Sequence, residues 1–219
     1  DFEDEVLKAF DNLKAPWVAV RSSAASEDGV SAAWAGQLDT FLNVDRKHLL
    51  ESIQKCQHSA HSERAKAYAE QKNLRSGGVA VLVQRMVQST VSGVAFSVHP
   101  VTQAANQIVI EAAYGLGEAV VSGKITPDTY VVAKNSDKIL ERHIAEQTEE
   151  LTQQSDGSSS WQPVARNGSE PKLTDEQIHE LTATVRKLEV FHGFPIDIEW
   201  AYAKQQLFIL QSRPITPLN

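Results

Sequence analysis

Cysteine is almost missing from this sequence. Its one thiol, Cys56, excludes an intrachain disulfide and fits a reducing, cytoplasmic setting. That thiol lies in a polar helical stretch, the setting of a bystander and not of a nucleophile. Long hydrophobic runs are missing too, and nothing approaches the ~18 apolar residues of a membrane span. The first residues, DFEDEVLKAF, are acidic and amphipathic, unlike a basic, apolar signal peptide. They open inside a helix-like segment without an initiator methionine, as expected of a piece of a longer polypeptide. Positive charge is in deficit: 21 Lys and Arg face 28 Asp and Glu, a formal charge of −7. That balance leaves no broad basic surface for nucleic acid. A polyanionic ligand must be held by a local cluster of cations, against the overall field. Neither nucleic acid nor membrane is expected as a partner.

What is present points to an α+β protein. At 219 residues and 42% apolar content, the chain can bury one sizeable core or two small ones. Phe2, Val6, Leu7, Phe10 and Leu13 form a helical stripe that Pro16 ends. Residues 17–21 then read as a buried strand, and 22–36, rich in Ser, Ala and Gly, as a loop. A strand is expected at 38–44 and polar helices at 45–57 and 60–74. After Gly77-Gly78, strands are expected at 79–87, 91–100 and 107–115, then a hairpin over 129–134 and 138–146 around Asn135-Ser136-Asp137. Residues 147–171 read as a polar surface excursion or mobile loop. The best helix is 173–190, with Thr174 and Gln177 as a capping box and Gly193 just past its end. Two strands, 195–202 and 206–213, close the chain around Ala203-Lys204-Gln205.

Four segments carry possible chemistry. In the last hairpin, strict alternation puts Asp197, Glu199 and Ala201 on one face, and Ile209, Gln211 and Arg213 together on a face of the second strand. Glu199 and Gln211 offer the hard oxygens that magnesium prefers, and Arg213 offers a forked contact to phosphate. A solvated face with a surface ion pair reads equally well from spacing alone. In VRSSAASEDGVSAAWAGQ (20–37), Arg21 ends an apolar strand and meets a small-residue loop able to cradle anions, or a plain connection. EAAYGLGEAVVSGKITPDTY (111–130) has glycines for tight turns. Its lone Gly-x-Gly is weak evidence for phosphate, and a structural turn explains it as well. Gln84-Arg85-Met86 follows an apolar run and offers backbone groups to a purine, with core packing as the simpler role for Met86.

Six runs in order, VRSSAASED, AGQLDTFLNV, VQRMV, SGVAFSVHPVT, GLGEAVVSGKITPDTY and PIDIEWAY…LFILQSRPIT, span nearly the whole chain. Together they resemble the N-terminal ATP-binding region of the phosphoenolpyruvate synthase, pyruvate phosphate dikinase and rifampin phosphotransferase family, an ATP-grasp relative. The resemblance implies an ATP-grasp-like fold in two subdomains, with mixed or antiparallel sheets flanked by helices. Residues 1–76 would be a partial N-terminal subdomain, and 77–219 the C-terminal one. It implies that ATP and Mg2+ bind between the subdomains. A phosphoryl group then passes to a histidine on a separate swivelling domain of the same polypeptide, leaving AMP and phosphate. Pyruvate or rifampin is the final acceptor in such relatives.

Carried over by position, Arg21 would hold phosphates, and Gly36 and Thr40 would approach the nucleotide. Gln84 would sit at the adenine hinge, Glu199 and Gln211 would hold the metal, and Arg213 would contact phosphate; Arg21 and Arg213 take the catalytic roles. The sequence departs from the family in four ways. It lacks the glycine-rich N-terminal segment with its nucleotide-contacting lysine, and the histidine domain with its threonine-serine-histidine motif. His99 stands where relatives usually carry Asp or Asn, and Gln103 replaces a common glycine. Weak nucleotide binding, strongly dependent on magnesium, and no complete phosphotransfer by this segment alone are the expectation. Alternatives are the ATP-binding domain of a rifampin phosphotransferase and a non-catalytic nucleotide-sensing or subunit-interaction module. His58 and His61, at i and i+3, suit either a metal or a solvated helix face. None of the other histidines resembles the family's phosphoryl acceptor.

Overall fold

The computed structural model describes residues 1–24, 39–59, 62–63 and 79–215. These fall into two compact units, Asp1–Met86 with Gln153–Ser159, and Val87–Thr152 with the chain from Ser160 onward. The division falls after Met86, so the strand that follows Gly77-Gly78 in sequence belongs to the first unit.

The first unit is a three-stranded antiparallel sheet with two helices. Helix α1 (Phe2–Asn12) starts at a capping box in which Asp1 accepts the Asp4 amide and the Asp4 carboxyl reaches back to the cap. Strands β1 (Val18–Ala24), β2 (Thr40–Val44) and β3 (Val79–Arg85) lie in the order β2-β1-β3. Alternation along β1 sends Val18 and Val20 inward, where they pack with Phe10, Val44 and residues Leu49, Ile53 and Cys56 of helix α2 (Leu49–Ser59). β1 runs on to Ala24, beyond the expected loop start at residue 22, because Ser22, Ser23 and Ala24 pair with Val81, Ala80 and Val79. The remainder of the loop expected over 22–36 and the helix expected over 60–74 lie outside the described residues, 62–63 excepted.

The second unit is built on a six-stranded antiparallel sheet, in the order β11-β10-β4-β5-β6-β7. Its strands are β4 (Val91–Phe96), β5 (Gln107–Tyr114), β6 (Asp128–Ala133), β7 (Ile139–His143), β10 (Ile196–Ala203) and β11 (Gln206–Pro214). A short helix, α3 (Glu118–Val121), follows β5, and α4 (Asp175–His192) precedes β10. One sheet face is apolar. Ile108, Ile110, Tyr130, Val132, Ile196, Ile198 and Trp200 pack there against Ile178, Leu181 and Val185 of α4. The expected ends of α4 are present: Thr174 and Gln177 form the capping box, and Gly193 adopts φ +76° with its amide on Glu189 O at 2.8 Å. Glycine fits this left-handed stop because it has no Cβ to clash.

The polar stretch 147–171 is not simply a loop. β8 (Glu149–Gln153) and β9 (Ser159–Pro163) pair as a two-stranded sheet. The buried Gln147 amide bonds to both backbone groups of Tyr114, at 2.8 and 3.0 Å. Further along, Lys172 and Asp128, both fully buried, form an ion pair at 3.0 Å. Asp128 also accepts from the Tyr130 hydroxyl (2.7 Å) and from the amides of Ala145 (3.1 Å) and Lys172 (2.8 Å). Lys172 Nζ donates to the carbonyls of Ala145 and Gly168. With each lone pair and proton directed at a partner, the pair tolerates full burial. Among the described residues no helix is long and apolar enough to cross a membrane.

Candidate functional site

The second face of the six-stranded sheet carries the polar residues of the last hairpin. Glu199 stands directly opposite Gln211, and Asp197 opposite Arg213, so the four side chains share one face. The register shifts between Glu199 and Trp200, because β11 holds one extra residue, Leu210. Ile209 is therefore paired with Trp200 and packs against the apolar core, not beside Gln211 and Arg213 as strict alternation predicts. The turn of this hairpin uses positive φ at Lys204 (51°) and Gln205 (63°), the backbone of a type I′ turn without its usual glycine.

Asp197 has a role that alternation did not reveal. Its carboxylate accepts Arg213 Nε at 2.7 and 3.0 Å. Burial pushes the Asp197 carboxyl up, and the Arg213 charge draws it partly back. A guanidinium held through Nε has a fixed plane and direction, which a flexible arginine on an open sheet lacks. The remaining signal in the row is Gln211 Oε1, a buried oxygen without a hydrogen-bond partner. A buried acceptor left unsatisfied costs about 1–3 kcal/mol, so its place opposite the Glu199 carboxylate suits a hard cation. Magnesium is what the resemblance implies, and this donor pair fits it. No group of three His, Cys, Asp or Glu among the described residues is placed to hold an ion. Other ligands would have to be phosphate and water oxygens, the usual magnesium arrangement.

The first unit presents its own polar face. Arg21 is not at the exit of β1 but within it, opposite Thr40 of β2 and Leu82 of β3. Ala19 lies two residues back on the same face, opposite Gln84. Arg21, Thr40 and Gln84 thus share the face turned away from Val18 and Val20. Gly36 lies outside the described residues. The Met86 amide is taken by Trp17 O at 3.0 Å, so that backbone donor has a partner within the fold.

The other motifs are structural. Gly115, at φ +89°, donates its amide to Thr90 O, and its carbonyl accepts the hydroxyls of Ser89 and Ser92. A Cβ there would lie 2.5 Å from Leu151 O, so only glycine fits. His99 Nδ1 accepts the amides of Val101 (3.2 Å) and Thr102 (3.3 Å), the task an Asp or Asn oxygen performs in such a turn. Gln103 adopts φ +58°, the left-handed backbone that explains a glycine at this position. Cys56 is buried on the inner face of α2, and burial raises its thiol pKa, which suits a bystander. His58 Nδ1 lies 2.7 Å from Gln54 O, while His61 falls outside the described residues.

The whole chain, residues 1–219, matches the pyruvate phosphate dikinase AMP/ATP-binding domain, and the chain belongs to that family. It is 40% identical over 206 residues to the probable phosphoenolpyruvate synthase of Methanocaldococcus jannaschii, covering 92% of this chain and 17% of that protein. It is 39% identical over 237 residues to the phosphoenolpyruvate synthase of Pyrococcus furiosus, covering 100% of this chain and 29% of the relative. The prodigiosin synthesizing transferase PigC of Serratia marcescens is 39% identical over 202 residues, covering 91% of this chain and 22% of PigC. The chain thus spans less than a third of each of these relatives.

Proposed function

We propose that this domain binds ATP with magnesium in an ATP-grasp-like arrangement of two subdomains, within a dikinase-type phosphotransferase. The observation that carries this is the pairing of Glu199 with Gln211, whose Oε1 is buried without a partner, beside an arginine held by Asp197. Glu199 and Gln211 would hold the cation. When bound, that cation neutralises phosphate charge. Arg213, oriented by Asp197, contacts a phosphoryl oxygen, and Arg21 supplies a second guanidinium. Thr40 and Gln84 share the Arg21 face, where a hydroxyl and an amide serve the nucleotide, with Gly36 as a close-approach position. Phosphoryl transfer depends on positioning and charge neutralisation more than on protein nucleophiles, and this residue set offers both.

The phosphoryl group would pass to a histidine on another domain of the polypeptide, with AMP and phosphate as the other products. The final acceptor follows from residues beyond this domain: relatives of similar identity include both phosphoenolpyruvate synthases and PigC. In the intact polypeptide, Glu199→Ala or Arg213→Ala should each lower turnover by orders of magnitude. Wild-type turnover in both variants would sink the site assignment.

A further inference from the structure

Helix α4 has two apolar faces and buries only one of them. Ile178, Leu181, Val185 and, in part, Leu188 face the sheet at three- and four-residue spacing. On the outer side of its last turn Val190 and Phe191 are each 82% exposed, and Phe194, just past the helix, is 41% exposed. They add nothing to the core, whose contacts come from the inward stripe.

The exposed rings are held in place. Gly193, in the left-handed conformation, turns the chain so that His192 contacts both phenylalanines, with ring centroids 5.4 Å apart in each pair. His192 Nε2 lies 3.2 Å from the Ser212 hydroxyl of β11, which fixes the group to the sheet. Rings fixed in this way lose little freedom when something covers them. The same end of the sheet carries more apolar surface. The Ser97 amide donates to Ile196 O at 2.8 Å, which sets the turn after β4 beside the start of β10, and Val101 in that turn is 81% exposed. Four of the eight large apolar side chains exposed among the described residues thus gather at this end of the second unit. Scattered exposed apolar residues are ordinary, whereas a cluster marks a contact surface.

Its size limits what can occupy it. Val190, Phe191 and Phe194 together present roughly 300–400 Å2, well below the ~800 Å2 per partner of a stable complex between free proteins. So small a surface holds an occupant when a tether raises its effective concentration. The chain spans less than a third of its relatives, so a longer polypeptide of this kind has ample tethered candidates. The Ile215 amide donates to Pro195 O at 3.0 Å, so β11 leaves the sheet next to Phe194. Lys187, exposed one turn before Val190 and Phe191, sets a cation at the rim.

We infer that this end of the second unit docks another part of the same polypeptide. An apolar side chain of that part seats on Val190, Phe191 and Phe194, and a carboxylate beside it faces Lys187. This rests on the reading of the chain as one domain of a longer phosphotransferase.

The test uses the intact polypeptide with photoreactive p-benzoylphenylalanine in place of Phe191, as a mixture of isotope-labelled and unlabelled chains. After irradiation, mass spectrometry should find the cross-link within single chains, to a peptide outside residues 1–219. Val190→Asp combined with Phe191→Asp should speed hydrogen exchange in that peptide about fivefold or more, and Lys187→Glu should speed it less. Cross-links joining labelled to unlabelled chains would mean that a second copy covers the surface, and would overturn the inference. So would the absence of any protein cross-link, or unchanged exchange in the double variant. Because α4 lies on the apolar face, away from Glu199, Gln211 and Arg213, the double variant should bind a non-hydrolysable ATP analogue with Mg2+ as the wild type does. A loss of that affinity would assign the surface to the nucleotide site and also overturn the docking. A wild type that binds the analogue without regard to Mg2+ counts against the nucleotide site alone, while the cross-link decides the docking.

Discussion

The two units support their polar faces by different means. In the first, a three-stranded sheet carrying Arg21, Thr40 and Gln84 is backed by seven buried residues, from Phe10 to Cys56, among those described. In the second, six strands carrying Asp197, Glu199, Gln211 and Arg213 are backed by sixteen, and the buried Lys172–Asp128 pair ties the 145–172 region to β6. A buried pair with every lone pair and proton satisfied resists local opening, because parting it strands a charge without its partner. The 145–172 region should therefore open only together with β6, which makes this sheet a rigid platform for the row of Asp197, Glu199, Gln211 and Arg213.

The largest expected effect tests the platform. Lys172→Met leaves Asp128 charged, buried and short of its main partner, and should cost about 3–5 kcal/mol of stability. Urea denaturation followed by tryptophan fluorescence measures it, and a loss under about 1 kcal/mol would show that the pair is not a tie. The next tests the core of the first unit. Leu49 is fully buried in the first unit, so Leu49→Ala should cost about 2–5 kcal/mol through lost burial and a residual cavity. Hydrogen exchange should quicken in β1 and β3 and stay unchanged in β5 and β6. Equal quickening in both sheets would erase the distinction between the units. The smallest effect is at a turn of the second unit. Gln103→Gly removes a left-handed strain of about 1–2 kcal/mol but adds chain entropy, so the net gain should be only a few tenths of a kcal/mol. A loss of more than about 1 kcal/mol would mean that the Gln103 side chain has a role of its own.

How much of this could be read beforehand depended on whether the signal was local. The caps of α4 were legible because Thr174, Gln177 and Gly193 are fixed by backbone geometry within a turn or so. Alternation along each strand brought out Glu199 and Gln211, although the register set by the turn alone would place Leu210 opposite Glu199. The same reasoning misplaced Ile209, because one extra residue, Leu210, inverts every side chain beyond it. It misread Arg21 as a strand exit, because the rest of β1 is held by β3, more than fifty residues away in sequence. Tertiary pairs left no sequence signal at all: Asp128 and Lys172 are 44 residues apart, and no local pattern connects them. Cys56 looked polar from its neighbours, yet the α2 stripe of Leu49, Ile53 and Cys56 turns it inward.

The most direct measurement is calorimetric titration of a non-hydrolysable ATP analogue into the intact polypeptide, with excess Mg2+ and again with chelator, for wild type and Glu199→Gln. Binding should be at least about tenfold tighter with Mg2+ in the wild type, a difference of about 1.4 kcal/mol, and Glu199→Gln should remove most of that gain. Equal affinity with and without the cation in the wild type, or an undiminished cation effect in Glu199→Gln, would contradict the account.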